Sequence, residues 1–93
     1  MAYAIYNNGV LDFNSIHDTP EKSRMMSRLP GAEKMEPVPV VFKRGHTKSG
    51  DHGFGFRAPG GKIIPASVKA TQQEARLIGG EGKLSLVSVC KAA

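Results

Sequence analysis

The stretch Lys43–Lys62, KRGHTKSGDHGFGFRAPGGK, decides how this chain is read. It opens basic and turn-rich, narrows to Gly53-Phe54-Gly55-Phe56, and closes on Pro59-Gly60-Gly61. Alternate side chains of a strand point to opposite faces, so Phe54 and Phe56 share one face and the two glycines the other. Arg57 faces away from Phe56 unless a bulge or the strand end brings it round. The polar segment Gly45–His52 reads as an exposed loop without apolar anchors. The stretch is therefore expected to be a basic hairpin, with strands at Val38–Phe42 and Gly53–Ala58 joined by that loop.

Outward from this stretch, the chain reads as an α+β domain. Tyr3–Tyr6 and Val10–Phe13 are β-forming runs around Asn7-Asn8-Gly9, a hairpin turn signal. Asp18-Thr19-Pro20-Glu21 starts a helix, with Asp18 or Thr19 as cap and Pro20 in the first turn. That helix is expected to send Met25, Met26 and Leu29 to the core and to stop at Pro30-Gly31. At about ten residues it needs a sheet to pack on. Pro37 and Pro39 make the Val38 strand an edge strand, or delay its pairing to Val40. Lys62–Ile64 reads as a further strand after the Pro59-Gly60-Gly61 turn.

Thr71-Gln72-Gln73-Glu74 is a second capping-box pattern. Its helix runs to Ile78, stops at Gly79-Gly80, and has no breaker back to Ser67. Lys83–Cys90 is the last strand, with Leu84 and Leu86 alternating against Ser85. The expected order is β-β-α-β-β-β-α-β: one domain over residues 1–93, a mostly antiparallel sheet and two short helices. A chain of 93 residues buries roughly 60–70% of its unfolded surface, enough for one modest core.

The net charge of +5 is unevenly placed. Through Phe42 there are four basic residues against five acidic; from Lys43 onward there are nine against three. A local basic excess suits a polyanion partner. A single cysteine, Cys90, excludes an internal disulfide, and with no signal-peptide pattern at the N-terminus the expected setting is cytoplasmic. No apolar run is long enough to span a membrane.

Two phenylalanines on one strand face, flanked by positive charge, suit single-stranded nucleic acid, each stacked base contributing on the order of 1–3 kcal/mol. They equally suit the core face of a strand, and the residues alone leave both readings open. Gly53-Phe54-Gly55-Phe56 resembles the heart of the RNP1 motif shared by the RNA recognition motif and the cold-shock domain. The former resemblance extends to the order of elements, the latter to Gly53–Pro59 and Glu81–Leu86. Both imply stacking roles for Phe54 and Phe56. The chain departs from the RNA recognition motif at Arg57, normally aliphatic, at Pro59, normally aromatic, and at His52, normally basic. The likeness is one of motif.

The expected function is a small non-enzymatic protein that contacts single-stranded RNA or DNA through Lys43, Arg44, His46, Lys48, His52, Phe54, Phe56, Arg57 and Lys62. The alternative is a small inhibitor or adaptor, of the kind found among phage and mobile-element accessory proteins. It would use the same residues to dock on an acidic surface of a larger protein, such as a nucleic-acid-processing enzyme. No cofactor is implied. His46, Asp51 and His52 lack a metal-ligand spacing, His17-Asp18 reads as a cap neighbourhood, and Cys90 as a buried small hydrophobe. Gly50-Asp51-His52-Gly53 and Gly79–Gly82 are turns, neither with the spacing of a phosphate loop.

Overall fold

The computed structural model describes residues 1–79 and 82–92. Gly80, in the expected helix stop, and Glu81, in the expected turn after it, lie outside the described residues. The class is α+β, with two helices, a four-stranded antiparallel sheet and a two-stranded sheet.

The N-terminal hairpin forms where Asn-Gly places it. After β1 (Ala2–Ala4), β2 (Tyr6–Asn7) pairs antiparallel with β3 (Val10–Leu11). Asn8 and Gly9 have φ of 53° and 80°, the doubly positive turn that matches strand twist. The break at Ile5 has a cause: its N–H is taken by Ser15 Oγ at 2.7 Å. Asp12 then caps a 3-10 turn at Phe13–Ser15 by accepting from Asn14 N, so the second strand ends sooner than expected.

Helix α1 (Pro20–Met26) is capped by Thr19, whose Oγ1 accepts from Lys22 N at 3.1 Å. Its inward residue is Ser23, fully buried, whereas Met25 and Met26 are 75% and 51% exposed. The expectation that the methionines enter the core is not met, and for Met25 helix geometry gives the reason. Met25 lies two positions, about 200°, round from Ser23 and must point outward once Ser23 points in.

Strand β4 (Val38–Arg44) is not an edge strand. It pairs with β1 from Val38 to Val40 on one side and with β6 (Ser85–Lys91) on the other, where the ladder begins at Val40. Pro39 lies opposite Tyr3, and its carbonyl accepts from Ala92 N. The delay to Val40 therefore holds on the β6 side only.

The larger correction concerns the basic hairpin. Strand β5 (Asp51–Gly55) does not pair with β4; both pair antiparallel with β6, in the order β1-β4-β6-β5. Strands β4 and β5 therefore run parallel, with β6 between them. Residues 45–50 cross over β6 to connect them. Two strand spacings are about 10 Å, and six extended residues reach about 20 Å, so the crossing is short but feasible.

The crossing segment is strapped to the sheet rather than open. Ser88 Oγ on β6 accepts from Thr47 N at 2.6 Å and donates to Gly45 O at 2.9 Å. Gly45 turns the chain with φ of 76°, and a Cβ on Gly50 would stand 2.8 Å from both Cys90 Sγ and Ser88 Cβ. The backbone can lie this close to β6 only because Gly50 has no side chain.

The sheet thus has two unlike faces. The inner one carries Ala2, Ala4, Val40, Val87 and Val89, packed against Leu11, Ile16 and Val68, with Phe13, Phe42 and Ile63 at its margin. The outer one carries Val41, Lys43, His52, Phe54, Leu86, Ser88 and Cys90 by register. The strap covers Ser88 and Cys90 and leaves Val41 and Leu86 42% and 50% exposed.

The expected Lys62–Ile64 strand is reduced to one bridge, Arg57 to Ile63, closed by Ala58 N to Lys62 O at 2.7 Å and Ile64 N to Phe56 O at 2.8 Å. A 3-10 turn at Pro65–Ser67 follows. Lys69 then bridges Phe54 through a reciprocal pair of 2.9 Å bonds. Because residues 68–69 are extended there, helix α2 (Gln72–Gly79) cannot start near Ser67. Thr71 Oγ1 accepts from Glu74 N at 3.2 Å, the cap bond of the expected pattern, and its hydroxyl donates to the Glu74 carboxylate at 3.0 Å.

Candidate functional site

The ends of β4 and β5 and the start of β6 lie side by side, and the basic residues gather there. A cleft of about 330 Å³ is lined by Phe42, Lys43, Arg44, Arg57, Gly61, Lys62, Ile63 and Val87. Four cationic residues line it and no carboxylate does. Among the described residues, the ion pairs are Asp18–Lys22 and Arg24–Glu36, so none of these four is neutralised. Alternation places Arg44 with Phe42 on the inner side of β4, and Lys43 with Ser88 and His52 on the outer side. Positive charge therefore reaches both sides of the sheet end.

Arg57 is the most firmly held of the four. Its Nε donates to Ser85 Oγ at 3.1 Å and an Nη to Gly61 O at 2.6 Å. The guanidinium has five N–H donors, and these two bonds fix its position in the cleft wall. The turn at Gly61, with φ of 90°, presents the carbonyl that does this. A shallower cleft lined by Arg44, Gly45, Arg57, Ser85 and Leu86 adjoins the first and shares both arginines.

The histidines and Phe54 form a second group, on the outer face. His46 and His52 stack with centroids 4.5 Å apart and planes 5° apart. Each Nε2–H donates to a carbonyl, His46 to Gly53 O at 3.0 Å and His52 to Thr47 O at 2.6 Å. His46 meets Phe54 edge-on, centroids 5.5 Å apart. Lys48, on the strap, is exposed. These residues hold the strap in place, a role their spacing in sequence did not suggest. Among the described residues no group of three or more His, Cys, Asp or Glu is placed to hold a metal ion.

The two phenylalanines are not equivalent. Phe54 is half-buried and lines a cleft against α2. Phe56 is 6% exposed, past the end of β5, where its N–H donates to Ser67 Oγ at 2.9 Å. A Cβ on Gly79 would clash with its ring, so the end of α2 lies directly on it. No face of Phe56 is left for a base, and a two-ring stacking platform does not form.

Among the described residues three groups have displaced proton affinities, all outside the cationic cleft. The Tyr6 phenol is pushed up to about 12 by burial, then by Asp51 and Cys90, and Lys91 Nζ stands 4.5 Å over its ring. Burial lowers Lys69, whose ammonium is 3.2 Å from Ala66 O. Burial, then the charge of Lys69, lowers His17. Lys69, between Val68 and Ala70, gave no sign in the sequence that it would be buried.

Comparison of the chain with protein-family models, with curated proteins and with solved structures finds no match.

Proposed function

We propose that this protein is a non-catalytic nucleic-acid-binding domain that holds the phosphates of a single strand at the end of its sheet. The observation that carries this reading is the cleft lined by Lys43, Arg44, Arg57 and Lys62 with no carboxylate among its lining residues. Phosphate contacts supply most of sequence-independent affinity. Arg57, held by Ser85 and Gly61, keeps further N–H donors that suit a phosphate oxygen. Phe56 contributes to the fold and not to the contact.

The test is fluorescence anisotropy with a labelled single-stranded 12-mer over a salt series. Four phosphate contacts correspond to a log–log slope of about −2.8, and Arg44→Gln with Arg57→Gln brings it to about −1.4. Absence of binding at low salt, or an unchanged slope in the double variant, refutes the reading.

A second reading, docking on the acidic surface of a larger protein as an inhibitor or adaptor, is favoured by Leu86. Its side chain is half exposed beside Arg44 and Arg57, and an apolar neighbour to charge is common in protein interfaces. In that case free nucleic acid binds weakly, and Leu86→Ser has no effect on whatever nucleic-acid affinity remains.

A further inference from the structure

We propose that the cleft between β5 and α2 is a nucleobase site, with Phe54 as stacking floor and Gln72 and Gln73 as readers of the base edge. This inference rests on the nucleic-acid reading above and adds a subsite to it. The cleft measures about 480 Å³ and is lined by Phe54, Ala70, Thr71, Gln72, Gln73 and Arg76. That volume lies within the range of small-ligand sites.

Phe54 is held in position for this role. Its backbone is locked by the reciprocal bonds to Lys69, and His46 meets its ring at 77°. His46 is itself fixed by Gly53 O and by the stack on His52. A ring held this way loses little freedom when a planar ligand lies on it. Thr71 is committed to Glu74, but Gln72 and Gln73 are exposed. Each carboxamide offers a donor and an acceptor side by side, the pattern that matches base edges. Arg76 follows Gln72 by four residues and so shares its side of the helix, adding a cation to the wall.

The cleft is also joined to the cationic end of the sheet. Phe54 pairs in register with Leu86, and Leu86 lines the shallow cleft with Arg44 and Arg57. Directly opposed residues in neighbouring strands are about 5 Å apart. One strand of nucleic acid can therefore rest a phosphate on the arginines and pass across Leu86 to place a base on Phe54.

The experiment compares a labelled oligo-dA 12-mer with an abasic 12-mer of equal length, by anisotropy at one salt concentration. Wild-type protein is expected to bind the base-bearing strand about 5- to 150-fold more tightly, the equivalent of one stacked base. Phe54→Leu, which keeps apolar bulk, brings this ratio to about 1. Gln72→Ala with Gln73→Ala, at exposed positions where folding is not at stake, lowers the ratio independently. Arg44→Gln with Arg57→Gln weakens both strands and preserves it. Equal wild-type affinity for the two strands overturns the base site while leaving phosphate binding intact. So does a ratio that survives both Phe54→Leu and the glutamine pair. If neither strand binds, the base site and the proposed function fall together.

Discussion

Replacing Gly50 by alanine tests the crossing of residues 45–50 over β6. The new Cβ would stand 2.8 Å from Cys90 Sγ and from Ser88 Cβ, and 3.2 Å from Val89 O. Comfortable carbon contacts begin near roughly 3.5 Å, so the strap or β6 must shift by several tenths of an ångström. Two of the three neighbours are backbone or Cβ atoms, which no rotamer change moves. The same shift strains the Ser88 bonds to Thr47 N and Gly45 O, together worth about 1–3 kcal/mol. Overpacking of this kind costs about 1–3 kcal/mol, so a loss of about 2–6 kcal/mol is expected. Each kcal/mol lowers Tm by about 4–8 °C in a domain of this size, so Gly50→Ala melts at least ~8 °C below wild type by circular dichroism. Gly60→Ala is the control: nothing lies within 4 Å of its Cβ and its φ is not positive. Its Tm moves by a few degrees at most, upward if at all. In a β4–β5 hairpin Gly50 would sit in a free loop and both variants would behave alike. A Gly50→Ala melt within about 2 °C of wild type therefore refutes the crossing.

Phe56→Ala removes a buried ring and is expected to cost about 3–5 kcal/mol, measured by urea denaturation; a cost below about 1 kcal/mol contradicts its burial under α2. Gly79→Ala drives a methyl into the same ring and should destabilise despite alanine's better helix propensity. A neutral or stabilised Gly79→Ala protein argues against that contact. Acid should weaken the fold through His17, whose pKa is lowered by burial and by Lys69. Between its folded pKa and the unfolded value near 6.5, the unfolded chain binds the proton and the folded one does not, so stability falls as pH drops through that window. His17→Gln removes this component, and a Tm that declines as steeply in the variant as in wild type between pH 7.5 and 5.5 shows that His17 is not its source.

Features written in neighbouring residues were legible without the structure. Asn8-Gly9 makes the turn expected of it, Thr19 and Thr71 cap the two helices, and the basic excess after Phe42 is real. Each depends on contacts within about four residues. Met25 was misread because α1 turns Ser23 inward, and Met25 lies about 200° round from it. The strand at Lys62–Ile64 shrank to a bridge because Ser67 Oγ takes the Phe56 N–H and donates to Ile64 O. Gln72, Gln73 and Arg76 went unremarked as site residues because a capping pattern accounts for that segment by itself.

For Lys43–Lys62 the division is plain. Its composition was enough to place the positive charge and to put Phe54 and Phe56 on one side of a common strand direction. Composition could not say what lies between the two strands. Backbone N–H and C=O groups pair alike with any strand, so the competition between a local hairpin and the insertion of β6 is settled by long-range packing. Val87 and Val89 fill the inner face, Ser88 anchors the strap, and Gly50 admits it. The same packing lays α2 on Phe56 and leaves Phe54 at a cleft, a difference between two rings that alternation alone treats as equal.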